Sequence, residues 1–456
     1  MVSKINSQSS RLIHKILKIF TDIRPGEALT AILLMFNVFL LLAAYYILKP
    51  FRDALMLQEW PAEIKSYLGA VIAVMLIFVV KAFSHIASRF PRQKLITRVT
   101  LFFIMNLGIF YILHIVGVGA GLMGIIFFIW MGIFNLIVIA QFWGFANDMY
   151  SEEQGKRLFP LIAFGATFGG FMGGKITEWL MVPLGRFQLM LVAGGILGIC
   201  IAITWFIHNR EIKRAVSEVN KSPEEQSRKT EQEKPLEKGG AFKLVFKKKY
   251  LLYLAFFVLL LNLINTNGVY MLDTIADSTA TQAIAAGTAG GLDKGEFLTQ
   301  FFAGFYNIMN LFAMFVQLFI VSRIFKWFGV RVAIFFLPVL VLGGYFFICF
   351  GAYLLLVKWV KALENGLDYS LMNTTRSSLY LITSRQEKYK AQAVTKTFFH
   401  RAGDVFSALF IFLGTTYLAF KVESFAIINV FLVLIWIGLG IMIFKEHKKL
   451  SASQRA

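Results

Sequence analysis

The stretch 361–380 is the most polar of the long apolar parts of the chain. Its polar side chains recur at the three-, four- and seven-residue spacing that shares one face of an α-helix. They are Lys361, Glu364, Asn365, Asp368 and Thr375, with Arg376 beside them. Charged side chains are costly inside a membrane, so such a face borders a water-filled chamber or belongs to a buried network of ion pairs. We expect Lys361 to pair with Glu364.

A second polar face follows in the next apolar stretch. Lys396, His400 and Asp404 are spaced four residues apart, and Arg401 adjoins them. Asp368, left over by the first lysine–glutamate pair, is expected to neutralise Lys396 or Arg401. Two neighbouring polar faces are hard to place against lipid, which favours the chamber over the structural network.

Basic residues also end the first apolar stretch. Tyr45, Lys49, Arg52 and Asp53 lie on one helical face. Either they are anchors at the membrane interface, or the two bases bind a phosphate and the carboxylate orients them.

Two other stretches carry isolated polar groups. Asn262, Asn265 and Asn267 lie near a glycine and indicate either a broken, cavity-lining helix or hydrogen bonds between helices. Asp148 ends a long apolar stretch, where it is either a gate charge or an exposed loop acid.

The run GATFGGFMGGK resembles a phosphate loop only superficially. It lacks the Walker spacing and the Ser or Thr after the lysine. Gly165, Gly169 and Gly173 repeat every four residues, which is typical of small-residue packing between membrane helices. Lys175 and Glu178, one turn further on, are placed to pair with each other.

Within the apolar stretches, basic candidates outnumber acidic ones. The basic candidates are Lys49, Arg52, Lys81, Lys175, Arg376, Lys396 and Arg401, and the acidic ones are Asp53, Glu178, Glu364, Asp368 and Asp404. A multiply anionic substrate would supply the missing negative charge, and arginine holds phosphate oxygens in pairs. The expected partner is an anionic small molecule, not a nucleic acid.

Other chemistry has little support. The six histidines are scattered, without the spacing of a zinc enzyme, and Cys200 and Cys349 lie deep in apolar runs. An intramembrane enzyme is therefore disfavoured, and we expect no metal and no cofactor.

The composition places these residues in a polytopic membrane protein. Of 456 residues, 57% are hydrophobic and 16% are charged, whereas soluble proteins carry about 25% charged residues. Twelve apolar segments are long enough to span a bilayer. They are S1 28–48, S2 66–87, S3 95–117, S4 121–146, S5 158–182, S6 186–208, S7 250–274, S8 296–325, S9 331–350, S10 353–382, S11 390–418 and S12 424–445.

The segments form two sets of six, an N-terminal half at 27–208 and a C-terminal half at 250–445. The linker 209–249 is charged, without apolar periodicity, and reads as solvated. Lys and Arg concentrate in the linker, in alternate loops and at both termini (1–26 and 446–456), which predicts a cytoplasmic location for all of these. The segment 1–26 is weakly amphipathic and is expected to lie on the membrane surface.

The two halves are similar to each other. Aligning Glu153 with Glu387, each in an acid- and lysine-rich turn, places Gly169 on Gly403. Paired six-segment halves with a long linker are the plan of the major facilitator fold, whose substrate site lies between the halves. The predicted fold is an all-α integral membrane protein with twelve transmembrane helices in two six-helix pseudo-repeat halves.

Three blocks resemble the bacterial and plastid nucleotide transporters, the non-mitochondrial ATP/ADP translocases. FWGFANDMYSEEQGKRLFPLIAFGATFGG (142–170) is similar to that family's Phe-Trp, Ala-Asn-acid, Lys-Arg and glycine pattern. YYILKPFRDAL (45–55) resembles the basic-Asp end of its first helix. The block 368–404 resembles its Tyr-Ser, Thr-basic and Lys-Ala run.

The resemblance implies roles for particular positions. Arg52 and Asp148 match residues of the family's nucleotide pathway, Arg376 the basic residue after a threonine, and Lys390 the lysine before an alanine. In S7, where the family has Asn-Leu-Val-Glu, this chain reads Asn-Leu-Ile-Asn and ends on Asn265, so the carboxylate is absent.

We therefore expect a membrane transporter that moves a nucleotide or another phosphorylated anion by alternating access. The expected substrate-binding residues are Lys49, Arg52, Asn265, Arg376, Lys396 and Arg401. The expected gating or coupling residues are Asp53, Asp148, Glu364, Asp368, Glu387, Lys390 and Asp404. A proton-coupled carrier of another organic anion and a non-transporting receptor or assembly protein are the alternatives. The protein is expected to be a monomer in the lipid bilayer of a bacterial cytoplasmic (inner) membrane.

Overall fold

The structure is a computed structural model in which most of the chain is described. The described residues are 27–87, 89–150, 152–219 and 240–453. Within them the chain is helical and contains no strand. The expected surface segment 1–26 and most of the linker 209–249 lie outside the described residues.

Before the linker, one long helix corresponds to each of the segments S1 to S6. The helices are α1 (Ala28–Glu59), α2 (Ala62–Ala87), α3 (Arg92–Ile115), α4 (Ala120–Met149), α5 (Glu152–Leu184) and α6 (Leu189–Val219). The shortest, α3, has 24 residues, so each has the length of about 20 residues that a bilayer requires.

From Ala241 onward the helices are more often interrupted, and the first of them, like the end of α6, lies within the predicted linker 209–249. They are α7 (Ala241–Lys247), α8 (Lys249–Ala285), α9 (Lys294–Phe315), α10 (Val321–Trp327), α11 (Gly329–Ala333), α12 (Phe336–Ile348), α13 (Leu354–Leu367), α14 (Asn373–Leu379), α15 (Arg385–Val394), α16 (His400–Thr416) and α17 (Val422–Ser453).

Three of the interruptions are π-helical turns that continue the helix on either side. They are Val316–Ile320 between α9 and α10, Asp368–Met372 between α13 and α14, and Thr395–Phe399 between α15 and α16. A π turn inserts one extra residue into an α-helix and is frequent at functional sites. Two of the three fall in the polar stretches S10 and S11.

Nine helical stretches within the described residues are long and apolar enough to cross a membrane. They include the counterparts of nine predicted segments. S5, S10 and S11 are not among the nine. All three carry charged side chains, whereas a π turn alone does not distinguish them, since the stretch Lys294–Trp327 that matches S8 also contains one.

The chain divides into two compact units. The first contains the described residues up to Arg52, Val80–Gly119, and those from Trp130 to the end of α6. The second contains Asp53–Val79, Ala120–Ile129 and the described residues from Gly240 onward. The last residues of α1, most of α2 and the start of α4 therefore belong to the unit that contains α7 to α17.

Within the first unit, the glycine repeat of α5 packs on α1. A methyl group built on Gly165, Gly169 or Gly173 would lie 2.2–2.4 Å from a carbonyl oxygen of α1. Glycine is therefore required for this approach of the two backbones, and the prediction of small-residue packing is confirmed. Lys175 and Glu178 form the expected ion pair, at 2.6 Å.

Within the second unit, α8 packs against α16 and α17. Gly403 of α16 meets the α8 backbone, since an added methyl group would lie 2.7 Å from the Leu259 carbonyl oxygen. Gly403 and Gly169 thus make the same kind of contact, each in its own unit, as the alignment of the two acidic turns predicts.

Candidate functional site

The second unit contains a cavity of about 200 Å³ bordered by three basic side chains. Its lining residues are Leu254, Phe257, Val258, Asn373, Arg376, Tyr380, Thr395, Lys396 and His400. One wall is the apolar face of α8, and the opposite walls are the polar stretches S10 and S11. The structure therefore brings Arg376 and Lys396, two of the predicted substrate-binding residues, to the same cavity.

The two π turns lie directly beside these side chains. Thr395 and Lys396 belong to the turn Thr395–Phe399, and His400 begins the helix that follows it. Arg376 lies in α14, which follows the turn Asp368–Met372. The extra residue in each turn changes which side chains share a face of the helix, so the regular spacing used above does not carry through it.

Asp368 shows the effect of this change. Its carboxylate accepts a hydrogen bond from Arg376 at 3.1 Å, and both side chains are about 15% exposed, at 14% and 17%. The expectation that Asp368 would neutralise Lys396 or Arg401 is therefore wrong. Arg401 instead pairs with Asp404, at 3.2 Å. Among the described residues, Lys396 forms no ion pair.

Asp404 is held against α8 and does not line the cavity. Its carboxylate accepts hydrogen bonds from Asn262 at 2.7 Å and from Thr266 at 3.1 Å. This supports the interpretation of the S7 asparagines as groups that bond between helices. Asn267 does the same with Ser407 and Asn429.

Lys361 and Glu364 form the expected pair, at 2.9 Å, and both side chains are buried. Lys361 also donates to the side-chain and main-chain oxygens of Asn265, at 2.8 and 3.0 Å. Tyr345 donates its hydroxyl to the Glu364 carboxylate at 3.0 Å. Asn265 and Glu364 are therefore parts of a buried network outside the cavity.

A second buried cluster lies at the ends of α1 and α2. The Lys65 ammonium is 3.1 Å from Asp53 and 2.8 Å from Asp273 of α8, and Tyr306 donates to Asp53 at 2.6 Å. Lys65 also lies over the Phe302 ring. Sequence reasoning identified Asp53 only.

The other partners in this cluster had weak signals in the sequence. Lys65 precedes the predicted segment S2 by one residue. Asp273 lies one residue before the end of the predicted segment S7. Asp53 follows S1 and Lys65 precedes S2. Only when the two positions are considered together does the sequence indicate an ion pair between the ends of neighbouring spans.

In the first unit, the Lys49 ammonium lies 5.7 and 5.1 Å from the ring centres of Tyr45 and Tyr46. Arg52, the last residue of α1 that belongs to this unit, is half-buried. Asp148 pairs with Arg92 at 2.7 Å, and both side chains are nearly half exposed.

In the second unit, Glu387 caps α15 through Ser384 and pairs with Lys248. Lys390 lies half-buried on the same helix. Both residues are therefore on α15, and neither of them lines the cavity.

Comparison with known proteins gives a family. The TLC ATP/ADP transporter family matches residues 121–447, well over half of the chain. The chain belongs to the TLC ATP/ADP transporter family. This confirms the resemblance to nucleotide transporters, and the protein is a membrane transporter. A search of curated proteins finds no match to this TLC-family transporter.

Solved structures share its fold. The crystal structure of the nucleoside transporter NupG is 12% identical, with a TM-score of 0.61, over 92% of this chain and 99% of that one. A POT family transporter in complex with 5-aminolevulinic acid is 14% identical, with a TM-score of 0.59, over 92% and 96%. A bacterial homologue of the human lysosomal transporter Spinster is 12% identical, with a TM-score of 0.56, over 94% and 99%. The TLC-family transporter thus has the fold of major-facilitator-like transporters.

Proposed function

We propose that this TLC-family transporter moves a nucleotide or another phosphorylated anion by alternating access, and that the cavity beside Arg376, Lys396 and His400 holds its phosphate end. The observation that carries the proposal is the environment of Lys396. This side chain faces a partly apolar cavity, and no carboxylate among the described residues pairs with it. An uncompensated cation in such a place is stabilised by an anionic ligand.

The size of the cavity limits what it takes. About 200 Å³ is below the range of roughly 300–1,000 Å³ typical of whole-ligand sites. It suits a phosphate group and its immediate neighbours and leaves the remainder of the substrate outside. Arg376 and Lys396 would hold the phosphate oxygens, and the side chains of Asn373 and Thr395 would complete the polar contacts.

The rest of the molecule fits a transport cycle. Twelve transmembrane helices in two related halves, with both termini and the linker in the cytoplasm, would allow one half to rock against the other. The cluster of Asp53, Lys65 and Asp273 would be a gate at the end of α1 that is closed in this state. Opening that end would separate Lys65 from at least one carboxylate.

A binding screen on detergent-purified protein tests the proposal. Nucleotides and other organic anions are ranked by the increase in unfolding temperature, since a ligand at 100 times its dissociation constant stabilises by about 2.7 kcal/mol. Arg376→Ala and Lys396→Ala should each abolish most of the shift. Lys326→Ala, which removes one exposed positive charge outside the cavity, is the matched control.

Binding alone does not demonstrate transport. Uptake of the best ligand into reconstituted vesicles separates a transporter from a receptor of the same fold. The proposal is contradicted if no anion shifts the unfolding temperature, or if the two cavity variants behave like Lys326→Ala.

A further inference from the structure

Arg376 belongs to two environments at once. It lines the cavity together with Lys396 and His400, and it also binds the carboxylate of Asp368. Lys396, which lines the same cavity, has no carboxylate partner among the described residues. The two bases that face one cavity are therefore compensated differently.

The π turn is the reason that Asp368 reaches Arg376. In a regular α-helix, eight residues at about 100° each leave two side chains about 80° apart around the axis. The turn Asp368–Met372 takes up one residue, so the spacing acts as seven residues, or two full turns. The two side chains then share a face, and the long arginine side chain spans the interval.

This pairing has a chemical consequence for any anion that enters the cavity. A guanidinium has five N–H donors, and the bond to Asp368 leaves others available. The charge of Arg376 is already balanced, however, and an incoming phosphate meets the negative carboxylate behind it. The anion must therefore share Arg376 with a like charge or displace it.

We propose that Asp368 competes with the substrate anion for Arg376 and thereby sets how tightly the anion is bound. It weakens binding and thereby speeds release of the anion into the compartment to which the cavity opens. This inference rests on the proposed function of the cavity, and it goes beyond it by assigning a role to a side chain that does not line the site.

Equilibrium titration of purified protein with ADP and, in parallel, with inorganic pyrophosphate tests the inference. Asp368→Asn should bind both probes about fivefold more tightly. A partly exposed ion pair contributes about 1 kcal/mol, which corresponds to that change in the dissociation constant. Asp368→Glu retains the negative charge and should stay within about twofold of the wild-type protein. Asp277→Asn removes a carboxylate that pairs with Lys294 away from the cavity and is the matched control. Asp368→Ser is the second charge-removing variant, used if the asparagine variant does not fold.

Transport kinetics distinguish competition from a structural role. Competition predicts that KM and kcat for ADP uptake both fall in Asp368→Asn, because binding tightens and release slows. A structural role predicts weaker or unchanged binding, and that result in a folded variant overturns the inference. Failure of both probes to bind the wild-type protein would contradict the proposed function, and the inference with it. Normal wild-type binding that is lost in Arg376→Ala but unchanged in Asp368→Asn would overturn the inference alone.

Discussion

Replacing Glu364 by Gln should be among the most destabilising conservative changes in this protein. The three N–H groups of the Lys361 ammonium meet three oxygens, two from Asn265 and one from Glu364. Glutamine preserves the size of the side chain and can still accept the third hydrogen bond. It removes only the negative charge, and it leaves a lysine with no exposed surface without its counter-ion. Breaking a buried ion pair in this way typically costs about 3–5 kcal/mol.

The measurement is the free energy of unfolding of purified protein, from a denaturing-detergent titration in mixed micelles. The double variant Lys361→Met with Glu364→Gln restores neutrality and should recover most of the loss, because well-packed apolar replacements of buried pairs are often neutral. Glu446→Gln removes the acid from an exposed pair of the same spacing and should have no measurable effect. A loss below about 1 kcal/mol for Glu364→Gln, with no recovery in the double variant, would refute the reasoning by showing that water reaches the pair.

Further predictions concern the helix contacts. Gly169→Ala should destabilise the protein by about 1–3 kcal/mol, since the added methyl group meets a carbonyl oxygen at 2.2 Å, whereas Gly195→Ala, with open space around it, should be tolerated in the same unfolding assay. Arg92→Ala should change the free energy of unfolding by less than about 1 kcal/mol, because its ion pair is half exposed; a larger loss would show that the pair is desolvated. Lys65→Met should lower the yield of folded protein in size-exclusion chromatography, and adding Asp273→Asn should restore part of it, because one of two facing carboxylates is then neutral.

The sequence was informative where one physical effect dominated. Hydropathy identified the long helices, because an apolar segment of bilayer length has few other uses. The repeat of Gly165, Gly169 and Gly173 indicated close packing, because only glycine permits it. The pairing of Lys361 with Glu364 followed from a spacing of three residues within one uninterrupted helix.

Prediction failed where the register changed or where partners were distant in sequence. The π turn at Asp368–Met372 leaves no signal in a 3.6-residue periodicity, so the sequence does not indicate that Arg376 is the partner of Asp368. Lys65 and Asp273 are separated by 208 positions, and nothing local to either indicates which of several cations and carboxylates it meets.

The polar side chain of Asn37 has a consequence for the order in which the chain is made. Its amide donates to Cys200 and Thr204 of α6, 163 and 167 positions later, and the α5 glycines that cover the same helix are also synthesised much later. Until α6 has been synthesised, α1 must therefore remain in the translocation machinery or the bilayer while the Asn37 amide lacks its hydrogen-bond partners on α6. A ribosome-bound chain that stops before α6 should still show α1 accessible to crosslinking by its surroundings, and one that includes α6 should not. The helix α1 is thus made before α5 and α6, but its packing is completed only after both of them have been made.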